Sequence, residues 1–236
     1  MNLKLNPDQI IICTLDMSTI SEKKIILDGF LSSSELDRSE KFKFENDKYR
    51  YITSRSVLRN IIGKLLSLDP KLIKFLTNEF GKPFLDPAEY SNLKFNLSHS
   101  GDQIVYAFCL NTDVGIDIEY INYSINHIEL ANSFFTANEI NFLLNSAHEK
   151  NNIEKFFSIW TRKEALLKSI GTGLMPDIKT IDVLEDQINL DIFLPEFKNH
   201  NTKTVFISEI LIHKDYKTAI ASAGNINSIQ IEKIEY

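Results

Sequence analysis

The stretch Val114-Gly115-Ile116-Asp117-Ile118-Glu119, read together with Trp160-Thr161-Arg162-Lys163-Glu164-Ala165-Leu166-Leu167-Lys168, decides how this chain is organised. Strict alternation from Ile116 to Glu119 suits a strand that buries its isoleucines on one face and turns both carboxylates to the other. Residues two apart on a strand lie roughly 6.6 Å apart, so both acids can reach one hard divalent cation if a third carboxylate arrives from elsewhere. Glu164 is the natural third ligand. An Asp-x-Glu strand on its own reads equally as an ordinary strand with solvated acids, and the other motifs decide between the two.

In the second stretch, Phe156, Phe157, Trp160, Glu164, Leu167 and Lys168 recur at three- and four-residue spacing. This predicts a helix anchored by its aromatics, with Glu164 and Lys168 on adjacent turns. A surface ion pair would show the same spacing, and Arg162 and Lys163 read as solvated. Asn151 with Glu154 resembles a capping box at the helix start, and Gly171 or Gly173 supplies the stop. Ahead of them, helical periodicity is expected from about Ile125 to Leu144. Three β-rich segments follow: 179–194, 204–212 with 218–223, and 229–234.

The first half opens with a strand near Gln9–Leu15 and a helix-like stretch over 21–31. From Asp47, the pattern Val57, Leu58, Ile61, Ile62, Leu65, Leu66 predicts a long helix ending before Asp69-Pro70, with Arg55 and Arg59 beside its apolar stripe. Then come Gly81-Lys82-Pro83, Phe95-Asn96-Leu97-Ser98-His99-Ser100 and a strand at 103–110. Both halves run through a long helix toward an apolar strand, which suggests a duplicated α+β unit. The break at Asn111-Thr112-Asp113 marks the seam, giving lobes 1–112 and 113–236.

Composition limits the function classes. A 236-residue chain with 43% hydrophobic residues can bury a core without staples. Cys13 and Cys109 have no metal-ligand spacing and read as free thiols of a reducing compartment. No apolar run reaches bilayer or signal-peptide length, so a cytoplasmic, non-membrane protein is expected. The net charge of −6 argues against nucleic acid as a partner. It is unevenly spread: residues 1–110 hold 15 Lys plus Arg against 14 Asp plus Glu, and the remainder 11 against 18. A basic-leaning half can hold an anion while an acidic half holds a metal. Hydroxyls and an imidazole at Ser98, His99 and Ser100 can bond phosphate oxygens, and no nucleophile elbow of a hydrolase is present.

In this order, GKPFL, FNLSHSG, VGIDIE and WTRKEALLKSIGTGL resemble the 4′-phosphopantetheinyl transferases, of the larger two-lobed monomeric type that activates surfactin-like peptide synthetases and polyketide synthases. The resemblance implies an α+β fold of two similar lobes related by a pseudo-twofold axis, each a small, mainly antiparallel sheet packed with a long helix. It implies transfer of the phosphopantetheine arm of coenzyme A to a serine of an apo acyl or peptidyl carrier protein, releasing adenosine 3′,5′-bisphosphate. By the same resemblance Asp117, Glu119 and Glu164 hold Mg²⁺, and Lys168 contacts the pyrophosphate. Ser98, His99, Arg50, Arg38, Lys163 and the Gly81-Lys82-Pro83 turn lie against coenzyme A. Glu164 is the expected general base, with Glu119 as the competing candidate. A dedicated fatty-acid carrier as client and a non-catalytic coenzyme A-binding protein are the alternatives. One departure stands out: Glu35 occupies a position where related chains often carry a lysine near the 3′-phosphate.

Overall fold

The computed structural model describes residues 3–20, 28–90, 92–145, 148–173, 176–190 and 203–235. Its strands are β1 (Gln9–Asp16), β2 (Phe75–Thr77), β3 (Pro83–Leu85), β4 (Leu93–Ser100), β5 (Gln103–Leu110), β6 (Val114–Tyr120), β7 (Gln187–Asn189), β8 (Thr204–Glu209), β9 (Tyr216–Ser222) and β10 (Ser228–Lys233). The helices are α1 (Ser33–Ser39), α2 (Glu45–Leu66), α3 (His127–Phe134), α4 (Ala137–Leu144) and α5 (Glu149–Ile170).

Two four-stranded sheets, in orders β10-β1-β5-β4 and β6-β9-β8-β7, stack face to face. Strand alternation explains how. On β1 and β5, Ile11, Cys13, Leu15, Ile104, Tyr106 and Phe108 point toward α2, packing on Val57, Leu58, Ile61 and Ile62. Their neighbours Ile10, Ile12, Val105, Ala107 and Cys109 point the other way, meeting Val114, Ile116 and Ile118 of β6. The outer face of the second sheet, with Val205, Ile207, Ala219 and Ala221, is covered by α5 through Phe156, Ile159, Leu166 and Leu167. The order is therefore helix, sheet, sheet, helix, and α2 and α5 each run to 22 residues. The expected α+β class, with small, mainly antiparallel sheets and long helices, holds. Among the described residues no helix is long and apolar enough to cross a membrane.

Five expectations need correction. Helix 125–144 is two helices, because Thr136 forms a capping box with Glu139 and starts α4 afresh. The Asn151–Glu154 pattern is not a cap: α5 already begins at Glu149, and the Asn151 amide bonds the His148 carbonyl. The stop at Gly171 is as read, with φ +78. β10, from the far end of the chain, pairs parallel with β1, so the first sheet contains a strand of the second half. The helix expected over 21–31 falls mostly outside the described residues, and its described end, Asp28–Phe30, is a 3-10 turn. The β-rich segment placed at 179–194 shows a 3-10 turn at Pro176–Thr180 and strand only at Gln187–Asn189, and its residues from 191 on lie outside the described residues.

Gly115 shows why β6 and α5 come so close. A Cβ there would stand 2.1 Å from the Ala165 carbonyl oxygen and 2.3 Å from the Ser169 nitrogen. Gly115→Ala is expected to lower stability by about 1–3 kcal/mol, the usual range for overpacking. The reading is a lower urea midpoint at unchanged slope; an unshifted midpoint would mean that the helix can back away freely.

Candidate active site

Along one margin of the stacked sheets β4 and β6, both edge strands, run together without a shared backbone ladder. Side chains replace the missing ladder. The outward amide of Ile116 donates to Asn96 Oδ1 (2.9 Å) and that of Tyr120 to Ser100 Oγ (3.0 Å), while the Ile118 amide supports the Asp117 carboxylate. Alternate residues Asn96, Ser98 and Ser100 thus stitch one lobe to the other, and this satisfies edge amides that burial would otherwise leave unpaired.

The stitch places the acids. Ser98 Oγ donates to Asp117 Oδ1 (2.8 Å) and Ser100 Oγ to Glu119 Oε2 (2.8 Å). From α5, Lys168 Nζ donates to Asp117 Oδ1 (2.5 Å) and to Ser98 Oγ (2.9 Å). Asp117 is 3% exposed, and its second oxygen, Oδ2, is buried without a hydrogen-bond partner. All three acids line one cleft of about 630 Å³ between the lobes, facing Arg50, Tyr51, Arg55 and His99.

Electrostatics divide that cleft. Burial pushes Asp117, Glu119 and Glu164 above the usual carboxylate range. The Asp117 charge adds to the shift of both glutamates, and Glu119 adds to that of Glu164. His99 is shifted the other way, first by burial and then by the cations of Arg50 and Lys168, so it meets the cleft as a neutral imidazole. Acids that raise one another's pKa and the cations of Arg50 and Lys168 thus share one opening. The donor set fits a hard divalent cation: three carboxylates under mutual repulsion and one unpartnered buried oxygen. The side chains are not gathered into a closed cage, for among the described residues no three of His, Cys, Asp and Glu converge in that way.

The expected site residues divide into two groups. Arg50, Pro83, Ser98, His99, Asp117, Glu119, Glu164 and Lys168 share the cleft. Arg38 stands at its rim, its guanidinium 5.7 Å from the centre of the Tyr51 ring. Lys163 does not belong: it is 2% exposed and pairs with Glu139 (2.9 Å) inside the second lobe. Nor does the Lys82 side chain face the cleft; its ammonium donates to the Lys168 carbonyl (2.5 Å). Gly81 supplies a left-handed turn at φ +87, away from the cleft lining. Glu35 does not line the cleft either: it closes the α1 capping box with Ser32, pairs with the buried Arg59 at 2.7 Å, and lies 3.8 Å from Arg55, which does line it. Asn96 and Tyr51 were not picked out from the sequence. The alternation of Asn96, Ser98 and Ser100 carries a signal for the first, and nothing in the local pattern marks the second.

Comparison with known proteins finds relatives along most of the chain. The chain matches the 4′-phosphopantetheinyl transferase superfamily over residues 113–221 and the 4′-phosphopantetheinyl transferase N-terminal family over residues 21–111. It is 35% identical to the 4′-phosphopantetheinyl transferase HetI of Nostoc, over 73% of this chain and 73% of that protein. Identity with the transferase gsp of Aneurinibacillus migulanus is 32%, covering 80% and 75% of the two chains. For the transferase Sfp of Bacillus subtilis the identity is 28%, over 83% of each.

Proposed function

The chain belongs to the 4′-phosphopantetheinyl transferase superfamily and so transfers phosphopantetheine to carrier proteins; we propose that it does this in the cleft between its lobes. One observation carries the assignment: Asp117, Glu119 and Glu164 line a single opening together with Lys168, His99 and Arg50. The serine hydroxyl of the carrier attacks the β-phosphorus of coenzyme A, the P–O bond to the α-phosphate breaks, and adenosine 3′,5′-bisphosphate leaves. Glu164 takes the hydroxyl proton, its basicity raised by burial and by Asp117 and Glu119. Lys168, held by Asp117 and Ser98, meets the charge that grows on the pyrophosphate. Arg50 and His99 hold the nucleotide end, with Arg38 at the rim.

Mg²⁺ is the cation we assign to Asp117, Glu119 and Glu164, a hard ion that retains waters and takes substrate phosphate oxygens as ligands. When bound, it supplies charge neutralisation at the pyrophosphate. A second, more apolar groove of about 440 Å³ adjoins the cleft, sharing Glu119 and Trp160 with it and lined by Tyr120, Ile125, Leu130 and Phe156. This groove is our candidate seat for the carrier helix beside the accepting serine. We take the enzyme to act as a cytoplasmic monomer on peptidyl or acyl carriers of peptide, polyketide or fatty-acid synthesis.

Mass spectrometry tests the reading. A peptidyl carrier and a fatty-acid carrier, each incubated with coenzyme A and the enzyme, should gain the phosphopantetheine increment on one serine. Chelator should abolish the gain and added Mg²⁺ restore it. Transfer indifferent to chelator would remove the metal assignment, and the relative rates of the two carriers would identify the client.

A further inference from the structure

The turn that presents Lys82 does something other than contact nucleotide. Strands β2 and β3 form a two-stranded ribbon of the first lobe, and its connecting turn is folded on itself. Asn78 Oδ1 accepts from the amides of Phe80 (3.1 Å) and Lys82 (2.8 Å), and the Gly81 amide bonds the Asn78 carbonyl (3.0 Å). This leaves two donors aimed across the interlobe boundary at the end of α5. Asn78 Nδ2 donates to the Gly171 carbonyl (2.7 Å), and Lys82 Nζ donates to the carbonyls of Lys168 (2.5 Å), Ser169 (3.3 Å) and Val114 (3.4 Å). The last carbonyls of a helix have no partner within it and carry the negative end of its dipole, so an ammonium and an amide there complete the helix.

We propose that the Asn78–Lys82 turn is a cap supplied by one lobe to the catalytic helix of the other, and that Lys82 is a positioning residue for Lys168 and Glu164. The connection is short. Lys168 is held at both ends, its carbonyl by Lys82 and its ammonium by Asp117 and Ser98. Glu164 lies one turn back along the same helix. Pro83, next in the chain, lines the cleft while Lys82 does not, so the turn serves both sides: proline toward the ligand, lysine toward the helix. The inference rests on the roles given above to Lys168 and Glu164.

Lys82→Met keeps the stem and removes the donor, and Asn78→Ala removes the second donor together with the Oδ1 acceptor of the turn while leaving the Lys82 charge in place. In either full-length variant, amide hydrogen exchange in the last turn of α5 should accelerate. For transfer, kcat should fall about 10- to 100-fold, the scale of a small misplacement of reacting groups. KM and the calorimetric Kd for coenzyme A should stay within about twofold of the parent, as expected when transition-state interactions alone are lost. A rise in KM and Kd with kcat and exchange unchanged would overturn the proposal and return Lys82 to the nucleotide. Unchanged kcat with unchanged exchange would show the contact to be idle. Glu164→Gln, assayed in parallel, separates the two levels: if it transfers normally, the role given to Glu164 fails; if it is inactive while Lys82→Met and Asn78→Ala behave as the parent, only the cap fails. Should Lys82→Met not fold, Asn78→Ala decides the matter by the same readouts.

Discussion

Replacing Glu164 by glutamine is expected to cut phosphopantetheine transfer by about 10²- to 10⁴-fold, the usual contribution of a general base, without weakening the fold. The second half of that expectation follows from electrostatics. Burial, then the Asp117 charge, holds the Glu164 carboxyl above its ordinary range, and Lys168 only partly offsets this. A carboxyl whose folded pKa is raised binds its proton more tightly in the native state than in the unfolded chain. Its favourable contribution is therefore complete below the unfolded value of about 4.3 and is lost as pH rises through the folded value. Glutamine does not titrate, so the variant should melt above the parent near neutral pH, and the difference should vanish below about pH 4. Asp117→Ala should be equally inactive but not stabilised, because it strips Lys168 and Ser98 of their common acceptor. Near-normal turnover in folded Glu164→Gln would remove Glu164 as the base and leave Glu119 in its place. A variant less stable at neutral pH than at pH 4, relative to the parent, would show the carboxylate to be a net stabiliser and contradict the repulsion described here.

The motifs that could be read from sequence were those whose meaning is local. Alternation through 114–119 located β6 and its faces, because one side meets only apolar residues of the other sheet. Period located α5 and the Gly171 stop its end, while its start at Glu149 lies several residues before the one read from the sequence. What the same pattern left open was which charged residue of Arg162-Lys163-Glu164 looks into the cleft. Neighbouring residues on a helix differ by about 100°, yet Lys163 and Glu164 have chemically similar surroundings in the sequence. The buried partner of Lys163 is Glu139 on another helix, and no local rule links the two. The Thr136–Glu139 capping box that divides α3 from α4 has a sequence pattern of its own, and the apolar periodicity running through it hid the break. The crossing of β10 to β1 and the reach of Lys82 to α5 are long-range pairings that periodicity does not encode.

Lys163 is where a misplaced residue leads to the second large effect. Lys163→Met should lower stability by about 3–5 kcal/mol, the cost of breaking a buried ion pair by deleting one partner. The pair is 2.9 Å apart, with Lys163 and Glu139 at 2% and 0% side-chain exposure. Burial drives Glu139 upward and Lys163 downward in pKa, each toward neutrality, and their mutual attraction opposes this, helped by the Thr136 and Val183 amides at Glu139 and the Asp182 charge at Lys163. The ammonium also donates to the carbonyls of Ile178 and Ile181, which methionine would leave unpaired. Glu139 cannot move away, since its oxygens accept from the amides of Thr136 (2.7 Å) and Val183 (2.9 Å). Adding Glu139→Gln to Lys163→Met removes the stranded charge and keeps one acceptor, so the double variant should recover part of the loss. Urea midpoints measure both, and calorimetry with coenzyme A supplies the contrast. If Lys163 serves the core alone, the folded single variant should bind coenzyme A as the parent does. If affinity falls while stability holds, Lys163 reaches the cofactor after all, and the second lobe must open further than the packing of Lys163 against α4 allows.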